Sequence, residues 1–275
     1  VINTYGLVSQ TIGELEAANG IPDPVNPTGK YAGLIMRPFI AFTGSTLDDP
    51  TSITGATARQ TQVTIAVCPA PLSQGLPFEA AANMAVLWAN VAQNTPQSDV
   101  QNLNYPDMPG PVAGVIPQMN GYTFREKCVE NGCSTADWTG GAYKVKDFVT
   151  TYAASGEYPA FYRYCRDLNV HFNIKFGYFL LVHQFQINKT VAKDSDTVTA
   201  DNVIKPKDWK AIVKNYCADL GTRGLIANVP YSQSNIVVTI NSTNPNRLDT
   251  TFPYTITGIV RISSTTVAGG FNFSN

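Results

Sequence analysis

The sequence predicts an α/β protein of the α+β kind, a mixed sheet covered by helices, and three observations carry that reading. Apolar runs of strand length recur, such as "TQVTIAVC" and "SNIVVTI". Longer segments repeat their apolar residues at spacings of one, three and four, the mark of an amphipathic helix. Gly, Pro and Asn clusters separate the two kinds.

The elements follow in order. "VINTY" has strand character, and residues 8–19 have helical character, stopped at Gly20 with Pro22 and Pro24 behind it. "YAGLIMRPFIAF" is largely apolar with Pro38 inside it, and "TQVTIAVC", ending at Cys68, is a cleaner strand. Residues 76–93, "LPFEAAANMAVLWANVAQ", have Pro at the entry, Glu79 in the first turn and an Ala-rich body, so a closely packed helix is expected. Residues 94–120 turn to Pro, Asn, Gln and Gly and predict a long extended connection. A short helix over 123–131, closed by Gly132, precedes two strands about Gly140 and Gly141, which predict a hairpin. The strongest helical pattern follows: Phe161, Tyr164, Cys165, Leu168, Phe172, Phe176, Phe179, Leu180 and His183 form one stripe. Val170, Ile174, Leu181, Val182 and Phe185 lie off it, so its second half is expected to be covered on two sides. Residues 205–221 predict another helix with Trp209, Ile212, Val213, Tyr216, Cys217 and Leu220 on one face. Two period-two strands close the chain, the last carrying Pro253, which belongs at an edge or irregular position.

Domain organisation is read as residues 1–121, a strand and helix part ending in the Pro/Gly-rich connection, and residues 122–275, with the long helix and terminal strands. Together they form one composite core. Start and opening composition suggest that upstream residues belong to the protein.

Length permits a sizeable core. Lys plus Arg is 19 against Asp plus Glu 20, a net charge of -1, which gives no basic field for nucleic acid. Charged residues make up 14% of the chain, against roughly 25% in an average soluble domain, so its polar surface is largely Ser, Thr, Asn and Gln. That suits a subunit covered by neighbours. The longest apolar segment, residues 172–187, contains Asn173, Lys175, His183 and Gln184 and is shorter than the ~20 residues a span needs, so no membrane insertion is expected. Five cysteines at irregular spacing argue against a disulfide framework, and Cys128 with Cys133 lacks a second pair for zinc.

No catalytic constellation is visible. His183 falls on the apolar stripe, where a hydrogen-bonded core or interface histidine is expected, and His171 lies one residue off it. Asp48 with Asp49, and Asp194 with Asp196, fall in turns. "TGGAYK" lacks P-loop spacing. Arg163 and Arg166 fall off the stripe and are expected as solvated or interface charges rather than RNA ligands. Asn188-Lys189-Thr190 and Asn241-Ser242-Thr243 fit the glycosylation sequon by chance. An enzyme is therefore not expected: there is no nucleophile elbow. The competing non-enzymatic reading is a virion adhesin or carbohydrate-binding module.

Four segments in order, "VCPAPLSQGLPFEAAANMAVLWA", "YTFREKCVENGCSTADWTGGAYKVKDFVTTY", "IKPKDWKAIVKNY" and "NPNRLDTTFPYTITGIVRI", resemble the tail sheath proteins of contractile-tailed bacteriophages, in the branch typified by phage Mu. The resemblance covers most of the chain, as the C-terminal part of a subunit. It implies a structural subunit assembled as stacked sixfold rings around a tail tube, which contracts to drive the tube through a host envelope. It implies self-association and partners in the tail tube, baseplate and tail terminator proteins, with no nucleic acid, cofactor, metal or catalytic residue. The implied location is the virion tail sheath, assembled in the host bacterial cytoplasm. The resemblance implies a fold that tailocin and secretion-system sheaths share. The resemblance also implies C-terminal strands shared between neighbouring subunits. Candidate strand-addition residues are Tyr254, Ile256, Val260, Ile262, Phe271 and Phe273, launched by a turn containing Asn244, Arg247 and Asp249.

Overall fold

The computed structural model describes residues 40–48, 65–152 and 163–260. The expected "VINTY" strand and the helix over residues 8–19 lie outside them. The described residues form five α-helices and ten short strands, an α+β arrangement. Parallel and antiparallel pairing both occur, but in five two-stranded sheets rather than in one sheet. An isolated strand pair is marginal in water, so each pair depends on a helix or loop packed against it.

The first body starts with β1 (Ala41–Ser45) and β2 (Ile65–Pro69), paired in parallel from Ala41 opposite Ile65 to Ser45 opposite Pro69. Every residue of β2 is buried, as a continuous apolar run demands. Helix α1 (Pro77–Asn94) lies against this pair. Pro77 opens it without wasting an amide, and the Glu79 carboxylate accepts the Leu76 N–H at 2.7 Å. Residues 95–117 form a connection expected to run extended across the surface; instead it is a run of turns that buries Val100, Tyr105 and Met108 in the core, and it feeds a single 3-10 turn (Gln118–Asn120). Asp48 caps that turn, accepting the Gln118 and Met119 amides at 2.8 and 3.3 Å.

Helix α2 (Tyr122–Glu130) ends at Gly132, whose φ of +71° and contact with the Thr151 backbone leave no room for a side chain. Strands β3 (Thr135–Thr139) and β4 (Ala142–Asp147) then form the hairpin, with Gly140 and Gly141 at φ +65° and +79° as a tight two-residue turn requires. Arg125 on α2 reaches Asp137 on β3 at 2.6 Å and holds the helix to the hairpin. Beyond β4 the "VTTY" segment runs beside β2, where the Thr151 amide donates to the Ile65 carbonyl. Met84, Trp88, Tyr143, Val145 and Phe148 join one core, so residues on both sides of position 121 contribute to it.

The second body is built on two helices, α3 (Cys165–Phe185) and α4 (Pro206–Thr222). Between them β5 (Thr190–Val191) and β6 (Val203–Ile204) pair in parallel, and Asp194 caps α4 through the Lys207 amide at 3.0 Å. Trp209, Val213, Cys217 and Leu220 form the expected buried face of α4. The face of α3 differs from expectation. Val170 and Ile174, predicted off the stripe, are its buried contacts with α4, while Phe176 and Leu180 are 41% and 49% exposed and His183 is exposed. The helix presents to α4 the side where Tyr216 can donate to the Ile174 carbonyl at 2.8 Å, which turns the aromatic stripe outward. Phe161 lies outside the described residues.

The chain then forms β7 (Ile226–Ala227), the short helix α5 (Val229–Ser234), β8 (Val237–Ile240), β9 (Leu248–Thr251) and β10 (Thr255–Ile256). All five cysteines are buried, and burial pushes the thiols of Cys68 and Cys133 well above their ordinary range. Among the described residues no helix is long and apolar enough to cross a membrane.

Candidate functional site at the C-terminal hairpin

Alternating Ile236, Val238 and Ile240 set the inward face of β8, and β9 returns antiparallel to it, from Val237 opposite Thr251 to Ile240 opposite Leu248. The turn between them is the polar run that contains Asn244. Its geometry is organised by Asn241, whose carbonyl oxygen accepts from the Thr243 amide at 3.0 Å, the Thr243 hydroxyl at 2.8 Å and the Asn244 amide at 2.9 Å. Such side-chain mimicry of a backbone turn is what Asn supplies best.

Asn244, Arg247 and Asp249 do come together. Asn244 accepts the Asn246 amide at 3.1 Å with its side chain and the Arg247 amide at 3.1 Å with its backbone. Arg247 and Asp249 pair with each other at 2.5 Å, while the Asn241 side-chain amide donates to the second Asp249 oxygen at 2.6 Å. The Asn241 hydrogen bond first, and Arg247 after it, hold the Asp249 carboxyl below its ordinary range. Asn241 is the residue that sequence reasoning missed. Its signal was present as an Asn two positions before a Thr, noticed only as a sequon.

Past β9 the chain passes through Phe252, Pro253 and Tyr254. Pro253 lies between two strands, the irregular position expected for it. Phe252 packs between Tyr178 and Tyr216, with ring centroids at 6.4 and 6.3 Å, and Trp209 donates to the Thr250 hydroxyl at 3.0 Å. The Tyr254 hydroxyl meets Nδ1 of His171. Strand β10 then pairs antiparallel with β7 of the same chain, Thr255 opposite Ala227 and Ile256 opposite Ile226. Of the candidate strand residues, Tyr254 and Ile256 thus pack within the subunit, Val260 is 81% exposed, and Ile262, Phe271 and Phe273 lie outside the described residues.

Arg163 and Arg166 require a correction. Both are buried, at 6% and 1% exposed, rather than solvated. The first turns of α3 are enclosed by the chain leaving α1 and by the segment after β10, and Arg166 is satisfied there by carbonyls from both: Gln97 at 2.9 Å and Thr257.

No protein-family profile and no curated protein sequence matches this chain. Solved structures do resemble it. A chain in the sixfold-symmetrised cryo-EM structure of the anti-feeding prophage baseplate is similar with a TM-score of 0.51 and 11% identity, over 78% of this chain and 57% of that one. The crystal structure of a sheath tail protein from Desulfitobacterium hafniense is similar with a TM-score of 0.47 and 13% identity, over 67% of this chain and 40% of that one. This chain therefore spans less than two thirds of either protein's length. At these identities the likeness is one of fold.

Proposed function

We propose that this chain is a structural subunit of a contractile tail sheath, assembled as stacked sixfold rings around a tail tube and working by mechanical rearrangement rather than by catalysis. The observation that carries the reading is the fold shared with a chain of a prophage baseplate. It is supported by where the sheath-like segments fall. "VCPAPLSQGLPFEAAANMAVLWA" supplies the end of β2 and α1, "YTFREKCVENGCSTADWTGGAYKVKDFVTTY" supplies α2 and the β3–β4 hairpin, and "IKPKDWKAIVKNY" supplies α4. Each of these is a core-forming unit rather than a surface decoration.

The terminal segment suits the mechanism. Main-chain hydrogen bonds of an added strand hold two bodies together while the bodies rotate and shift, since the ladder does not depend on side-chain packing between them. In this reading the residues after Thr257, with Val260, Ile262, Phe271 and Phe273, add to a sheet of a neighbouring subunit. The Asn241–Arg247–Asp249 turn keeps the preceding hairpin rigid. The tail tube, the baseplate and the tail terminator are the remaining partners, in a virion tail assembled in the host bacterial cytoplasm.

The test is cryo-electron microscopy of particles formed when the full chain is expressed with its tube. A sixfold helical layer along the tube, with density after Thr257 entering the next subunit, is expected. A single ring confined to one end of the tube would make the chain a baseplate component, and absence from the particle would overturn the reading altogether.

A further inference from the structure

We infer that Arg166 is the mount of the C-terminal segment: it fixes the point, at Thr257, from which the following residues are delivered to another copy of this chain. The guanidinium is buried, and all three of its nitrogens donate. Its Nε donates to the Gln97 carbonyl at 2.9 Å, one Nη pairs with Asp167 at 2.9 Å and also donates to the Thr257 carbonyl, and the other Nη donates to the Thr257 hydroxyl at 2.8 Å. Donation from three separate nitrogens of one rigid planar group is a property of arginine that the single lysine ammonium lacks.

Thr257 is held from its other side as well. Its hydroxyl donates to the Gly224 carbonyl at 2.6 Å, and its amide donates to the Leu225 carbonyl at 3.3 Å. One residue therefore joins α3, the turn after α4 and the terminal segment. A buried charge is tolerated only while it is paired and hydrogen-bonded. Pulling Thr257 away would strip Arg166 of two acceptors, so the segment resists detachment at this residue.

The same helix grips the segment a second time through His171 and Tyr254. Five helical positions, from 166 to 171, and three extended positions, from 254 to 257, each span roughly 8–10 Å, so the segment lies alongside α3. The grip then stops abruptly. Gly258 is exposed, a side chain built on it would meet nothing within 4 Å, and Val260 is 81% exposed. A fixed residue followed at once by an open glycine is a mount with a pivot.

Delivery to another copy rests on the sheath reading; the mount itself does not. Both are tested on the full chain with two substitutions, Thr257→Val and the harsher Arg166→Lys, and with a chain ended after Val260. Hydrogen exchange is measured by mass spectrometry and self-assembly by sedimentation. Each substitution is expected to speed exchange of the amides around residues 255–257 by about tenfold or more while α4 stays protected, and to slow assembly by a similar factor. Exchange unchanged at that segment, or raised equally throughout the chain, overturns the inference, as does local loosening with assembly at the full rate. If the unaltered chain forms no polymer, or the shortened chain assembles as well as the full one, strand addition fails instead, and exchange alone decides the mount.

Discussion

His171 shows how one side chain can carry a pH response. Burial first, and the Lys175 charge second, pull its pKa down from 6.5 to about 4. Burial raises that of Tyr254, so the phenol keeps its proton beside a neutral imidazole. The folded state thus binds the His171 proton more weakly than the unfolded chain does. The stability this contributes is complete above about pH 6.5 and is lost as pH falls from there toward 4. Urea unfolding followed across that window is expected to lose on the order of 2 kcal/mol, and His171→Phe is expected to flatten the curve. The Asp249 carboxyl, also depressed, gives way only below its ordinary 3.8, so the two groups separate on the pH axis. His171 was visible in the sequence only as a histidine beside an apolar stripe, because its partner lies 83 positions away.

Helix and strand positions were legible where local signals agree, and contact faces were less so. Pro77, Glu79 and the Ala-rich body marked α1, and the paired glycines marked the hairpin, because caps and turns are decided by near neighbours. The α3 stripe is buried at Cys165 and Leu168, but farther along the helix turns another side inward, since α4 approaches where Gly177 has no side chain. A Cβ there would stand 2.2 Å from the Tyr216 hydroxyl and displace its bond to Ile174. Gly177→Ala is expected to destabilise by about 1–2 kcal/mol, the clash outweighing the gain in helix propensity. Gly44 is the sharper case. Its Cβ would lie 1.4 Å from the Pro77 carbonyl oxygen, so β1 and α1 could not both keep their places. Gly44→Ala is expected to cost about 3 kcal/mol or more, measured as a shift of the urea midpoint at constant slope.

Across the whole molecule, two helix-and-strand bodies meet through Cys165, Arg166 and Asn169 at the start of α3, the last donating to the Pro96 carbonyl at 3.4 Å. Large apolar groups remain on the surface of the first body. Phe78 at the start of α1 is 66% exposed and Ile116 in the connection is 78% exposed, near loops tied together by Gln74 and Gly110. Low charge and exposed apolar groups together fit a subunit whose outer faces are covered in an assembly. Changing Phe78 and Ile116 to serine is therefore expected to leave stability within about 0.5 kcal/mol, as for other surface substitutions, while polymer recovered by sedimentation falls several-fold. Equal losses of stability and polymer would instead show that these residues hold the subunit's own fold.

By itself the sequence determined the α+β class, the helices α1 to α4, the hairpin and the polar turn that contains Asn244, all of which rest on periodicity and turn chemistry within a few residues. Tertiary structure decided which side of α3 is buried, that strands pair two by two, and that Arg166 is a buried anchor rather than a solvated charge. The reason is physical: a charge or an apolar face is buried only where partners can satisfy or cover it. The partners of Arg166, at Gln97 and Thr257, lie 69 and 91 positions away, beyond anything a local pattern can express.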